Sequence, residues 1–89
     1  MEHRSIYDII LGLMLQNHII KDRNIDYKSS LLGKNNDLSP SELFYLIKII
    51  ENHFNINFSL EDYRNYGLST LEKIVNRVYN LNGEEVNYE

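Results

Sequence analysis

Asn36-Asp37-Leu38-Ser39-Pro40-Ser41-Glu42-Leu43 is the stretch on which the fold turns. Ser39 and Glu42 have the spacing of a capping box: the serine oxygen accepts from the amide three residues on, and the glutamate carboxylate bonds back to the serine amide. Pro40 suits the first helical position, where its missing N–H costs nothing and its fixed φ matches the helix. Downstream, Leu43, Leu46, Ile47, Ile50 and Phe54 share one face at helical spacing. Tyr45, Lys48 and Asn52 fall opposite them, with Ile49 at the edge and Phe44 at the shoulder of the apolar stripe. The stretch predicts a helix from Ser39 to Phe54.

Working outward, Ser5-x-x-Asp8, Ser59-x-x-Asp62 and Ser69-x-x-Glu72 repeat the capping pattern and predict helix starts near Ser5, Ser59 and Ser69. The periodicities agree. Ile6, Ile9, Ile10, Leu13, Met14 and Asn17 make one stripe, widened by Leu11 and Leu15, in a helix predicted to end near His18. Leu71, Ile74, Val75 and Val78 make another, flanked by Tyr79 and Leu81, behind a turn at Gly67-Leu68. Leu60 to Tyr66 is short and polar, fit for one or two turns. Leu46, Ile50 and Val75 are predicted core. The segment between the first two long helices lacks strong periodicity, and Ile25, Tyr27, Leu31 and Leu32 are the residues expected to pack it on the bundle. The expected domain covers residues 1–81, and residues 82–89 read as an acidic, frayed tail.

Composition fits one small domain. A chain of 89 residues buries only about 60–65% of its unfolded surface, so its core needs large side chains. Eleven Ile and no Ala meet that need. The absence of Cys removes disulfides, thiolate metal ligands and a thiol nucleophile. Ile6 to Leu15 is interrupted by Tyr7, Asp8 and Gly12 and is too short to span a bilayer, so a cytoplasmic location without membrane attachment is expected. A net charge of −4 offers no basic face for nucleic acid. His3, His18 and His53 have no local partners in a metal pattern, and His53, at the margin of the second helix, reads as structural. No serine is poised on a histidine. These features predict a non-enzymatic protein without a metal. The twelve Asn residues read as compositional bias.

The order of these elements resembles the acyl and peptidyl carrier protein family over about residues 5 to 81. Asn36 to Leu43 resembles the attachment motif, Asp-Ser-Leu followed three residues later by Glu-Leu. Leu32-Gly33 resembles the Leu-Gly before it, with one extra residue within Lys34-Asn35. Phe54-Asn55-Ile56-Asn57-Phe58 resembles the family's Phe-Gly-Ile-x-Ile. The resemblance implies an all-α four-helix bundle with three longer helices, a short third helix and a long loop between helices one and two. It also places Asp37 where the family carries the serine that is esterified to phosphopantetheine, and a carboxylate cannot make that phosphodiester.

Asp37 has two readings from sequence: an acid favoured by the helix dipole, worth about 0.3–1 kcal/mol, or a fixed negative charge standing where a modified carrier shows its phosphodiester. Ser39 and Ser41 are the possible substitute attachment sites. Esterifying Ser39 would withdraw its oxygen from the cap at a cost of about 1 kcal/mol, whereas Ser41 is freer. The serine-lacking state is similar to the acyl-carrier-related proteins of peptide-maturation systems. It implies a non-catalytic accessory protein that docks on a biosynthetic or peptide-modifying enzyme through Tyr45, Lys48 and Ile49, with no cofactor. The alternatives are a working carrier with phosphopantetheine on Ser39 or Ser41, and a plain helical adaptor.

Overall fold

The computed structural model describes residues 2–87, with the backbone alone for Asn65 and residues 83–87. Among the described residues it is all-helical, with α1 (His3–Gln16), α2 (Pro40–Phe54), α3 (Leu60–Tyr63, followed by a 3-10 turn Arg64–Tyr66) and α4 (Leu71–Asn87). The chain folds as a helical bundle in which α1 packs on both α2 and α4.

Two of the four predicted caps move. The start of α1 is Glu2, in extended conformation and without a side-chain cap, and the Ile6 amide closes the first turn on Glu2 O at 3.1 Å. Ser5 therefore lies inside the helix, and the expected box with Asp8 does not form. At α4 the cap shifts by one residue: the Lys73 amide donates to Thr70 Oγ1 at 3.1 Å, while the Ser69 hydroxyl donates to Tyr66 O at 2.8 Å. The Ser39 box forms as read, with Glu42 N–H to Ser39 Oγ at 3.1 Å and Ser39 N–H to Glu42 Oε1 at 2.8 Å. At α3 the Asp62 carboxylate accepts from both the amide and the hydroxyl of Ser59, at 2.6 and 3.2 Å. Arg77 Nε stands 2.5 Å from the other oxygen of Asp62 as an ion pair without a formed hydrogen bond.

The ends of α1 and α2 follow backbone rules. Past α1, His18 adopts the left-handed conformation (φ 60). Its amide bonds to Leu15 O, and that of Ile19 bonds back to Met14 O at 2.8 Å. That is a Schellman motif, and Ile19 is buried as its apolar closing contact. Asn55 ends α2 in the same conformation (φ 54), with Ile56 N–H on Glu51 O at 3.1 Å. Before α4, a Cβ on Gly67 would strike the Asp62 carbonyl oxygen, so this tight turn requires glycine.

The core is the union of the predicted stripes. Ile6, Ile10 and Met14 of α1, Leu46 and Ile50 of α2, and Leu71, Ile74, Val75 and Val78 of α4 are all 0% exposed. Each such aliphatic side chain contributes about 1.5–3 kcal/mol of burial free energy. Phe44, at the shoulder of the stripe, is 59% exposed. The backbone of α4 continues to Asn87, past the boundary expected at Leu81. Tyr88 and Glu89, the end of the expected tail, lie outside the described residues.

The segment from Ile19 to Leu38 forms a strap that runs from the end of α1 back beside Tyr7 and Asp8 and on to the start of α4. Leu31 is its plug, wholly buried in the core, and Ile25 and Tyr27 are half-buried against it. Leu32 points away and is 47% exposed, contrary to its expected packing role. The backbone hydrogen bonds explain why one leucine goes in and its neighbour stays out. Leu31 N–H donates to Ser69 O at 2.8 Å and Leu31 O accepts from Leu38 N–H at 2.9 Å, which pins Leu31 between the strap's own end and the turn before α4.

Candidate docking site around the second helix

The N-terminal mouth of α2 is built by the capping box and the strap. Asp37 lies two residues before the cap, exposed, in left-handed conformation (φ 55), with its amide on Gly33 O at 2.6 Å. Aspartate and asparagine tolerate that conformation better than most residues other than glycine. The backbone supplies a third reason for an acid here, beside the dipole and the charge readings. Next to Asp37 runs a cleft of ≈ 360 Å³ whose walls include His18, Asp22, Asn36 and Glu42.

Ser39 Oγ is occupied as the acceptor of the cap, whereas Ser41 is exposed at the second helical position. Asp37 has no hydroxyl to esterify, so it does not fit a phosphopantetheine linkage.

The predicted contact trio divides. Tyr45 is 51% exposed and leans toward the end of α1, its hydroxyl donating to Asn17 Oδ1 at 3.3 Å. Lys48 leans the other way: its ammonium is 3.3 Å from Glu51 Oε1 and 5.3 Å from the centre of the Phe44 ring. Ile49 is half-buried against the core and offers only its edge. The exposed surface therefore has two parts, one at Tyr45 and Asn17, the other at Phe44 and Lys48.

Tyr63 of α3 extends the second part. Its hydroxyl is pushed above the usual tyrosine range, first by burial and then by the Glu51 carboxylate, with Lys48 opposing. Glu51 is itself buried beneath this surface, where its second oxygen accepts from the Phe58 amide at 2.8 Å. That bond ties the turn after α2 to the helix and sets where α3 begins. Phe44 was read only as a flanking member of this surface, and Glu51 and Tyr63 were missed as site residues from sequence. The spacing of Phe44, Lys48 and Glu51 on one helical face was a signal for two of them, while Tyr63 arrives only through the fold.

Nothing in this arrangement poises a nucleophile against a base. Among the described residues no group of three or more His, Asp or Glu side chains is placed to hold a metal ion. No described helix is long and apolar enough to cross a membrane. Neither a protein-family model nor a curated protein matches the sequence. Chemically, the site offers an aromatic and cationic contact surface beside an acidic helix mouth.

Proposed function

We propose that this chain is an acyl-carrier-type bundle without a carrier's attachment serine, and that it acts as a non-catalytic docking protein for a biosynthetic or peptide-modifying enzyme. The observation that carries the reading is Asp37: an exposed carboxylate at the mouth of α2, in the register where the resemblance puts the modified serine. With no arm to present, surface shape and charge are its means of action. Phe44, Tyr45 and Lys48 supply that surface, since aromatic side chains and a cation spread over one are the groups most able to anchor an interface. Its place of action is the cytoplasm, on a protein partner, without nucleic acid, membrane or metal.

One observation favours a second reading. Ser41 is exposed one position inside the helix, where an attached group would not disturb the cap. A working carrier would hold its phosphopantetheine there, or on Ser39 with loss of the cap.

The docking reading is tested by affinity for a co-purified enzyme, measured alongside thermal stability. Phe44→Ala and Tyr45→Ala are expected to weaken binding by about 1–2 kcal/mol or more where each is a central contact, with melting temperature unchanged and Asn82→Ala binding like the parent. Parent-like affinity for both aromatic variants would move the interface elsewhere.

A further inference from the structure

The strap carries a knot with no counterpart elsewhere in the described structure. The Asn36 side chain accepts from the Asp26 amide at 2.7 Å and places its own amide nitrogen 2.9 to 3.3 Å from the carbonyls of Asp26, Ser29 and Ser30. Asp26 in turn accepts from the Lys28 and Ser29 amides and the Ser29 hydroxyl, and Asn35 donates to that hydroxyl at 3.1 Å. Almost all of this lies in water-exposed backbone. The strap meets the helices through the buried Ile19, Leu31 and Leu38, the half-buried Ile20, Ile25 and Tyr27, the last edge-on to Tyr7, an exposed Arg23–Asp8 ion pair, and, beyond its first two residues, two backbone bonds, Leu31 N–H to Ser69 O and Glu72 N–H to Tyr27 O. Few buried apolar side chains and many exposed hydrogen bonds are the marks of a segment that opens locally.

We propose that the strap from Ile19 to Leu38 is a separately opening unit, with Asn36 as the positioning residue that latches it. Asn36 makes no hydrogen bond across to the helices; it fixes the strap's shape, so that Leu31 and the two cross-bonds engage together. Releasing the knot frees the Asp26–Ser30 turn and lets Leu31 leave the core while the three long helices stay packed. The same release carries Asp37 off Gly33 O and reshapes the mouth of α2. Opening therefore gates the candidate docking site. That consequence rests on the docking reading, but the unit itself does not, and amide exchange tests it without any partner.

The informative amides are those of Leu31, Leu38 and Glu72, none of which is bonded to Asn36. In the native chain under low denaturant they should exchange through one shared opening, faster than Ile10, Ile50 and Ile74. In Asn36→Ala all three should exchange about 10-fold faster, the loss expected for cutting one or two hydrogen bonds out of the latch, and should still exchange ahead of the helix amides, whose route through global unfolding speeds up by no more than the same factor. Asn36→Asp, which keeps the acceptor oxygen but sets a carboxylate oxygen against three carbonyls, should loosen the strap at least as much. Three outcomes would overturn the proposal: unchanged Leu31, Leu38 and Glu72 rates in Asn36→Ala; one common opening free energy for these amides and Ile50 in the native chain; or outright unfolding of the variant. In the last two cases the strap would open only together with the bundle.

Discussion

Ile50 and Asn36 stand for two regions that reach order by opposite means. Around Ile50 three helices are joined by apolar side chains from which water is excluded, and the backbone is satisfied within each helix. Around Asn36 there is no regular structure; side-chain amides and carboxylates complete the backbone's hydrogen bonds, and only Ile19, Leu31 and Leu38 are deeply buried. The difference teaches where rigidity comes from in a small domain. Burial gives the helices a stability that does not depend on any one hydrogen bond, whereas the strap depends on a few residues whose loss is felt by all its neighbours.

The largest effect should come from the apolar region. Ile50→Ala is expected to cost about 2–5 kcal/mol in chemical denaturation, the range for emptying a fully buried aliphatic site, and to raise exchange everywhere. Leu31→Ala belongs to the boundary between the regions. Its cost should lie at about 2–3 kcal/mol, the lower part of that range, because the strap can settle into the gap. An equal or larger loss than Ile50→Ala would show that the strap is as much a part of the core as the helices are. Asn36→Ala should cost about 1 kcal/mol, the net worth of a half-buried hydrogen-bonding side chain, with the strap amides still the first to exchange.

The smallest expected effect is that of acid on the knot. The Asp26 carboxyl is held below the ordinary aspartate value, first by the Ser29 hydroxyl and then by the Lys28 amide. The folded strap therefore favours the ionised form, so its contribution is complete above the unfolded aspartate pKa and is lost as pH falls through the folded one. Acidification should shift the Lys28 and Ser29 amide resonances and speed exchange at Leu31 before the helices respond. Asp26→Asn should remove that pH dependence; a strap that loosens with acid in that variant as well would place the titrating group elsewhere.

The sequence spoke clearly where one physical term dominates. Three stripes of Ile, Leu and Val fixed the long helices and the core, because burial is periodic and tolerates error in any one residue. The box at Ser39 held because Pro40 reinforced it, while those at Ser5 and Ser69 gave way: Glu2 lay in extended conformation ahead of Ser5, and Thr70 offered an equivalent hydroxyl one residue later. The strap was legible only as a packed loop. Leu31 and Leu32 are alike in composition, and only the pairing of Leu31 with Ser69 and Leu38 decides which is buried. Asn36, one of twelve Asn read as compositional bias, carries the knot because its partners lie six to ten residues away, beyond any local pattern. The candidate site was half legible: Tyr45 and Lys48 are on the outer face as read, but Tyr63 joins them only through the fold, near Glu51 and Lys48 of α2.

The central claim, a carrier-type bundle that carries nothing, is tested most directly by intact mass after incubation with coenzyme A and a broad-specificity phosphopantetheinyl transferase. An unchanged mass is expected, because Asp37 stands where the resemblance puts the attachment serine and the Ser39 oxygen is held in its cap. A stoichiometric phosphopantetheine adduct on Ser39 or Ser41 would contradict it and make this protein a working carrier.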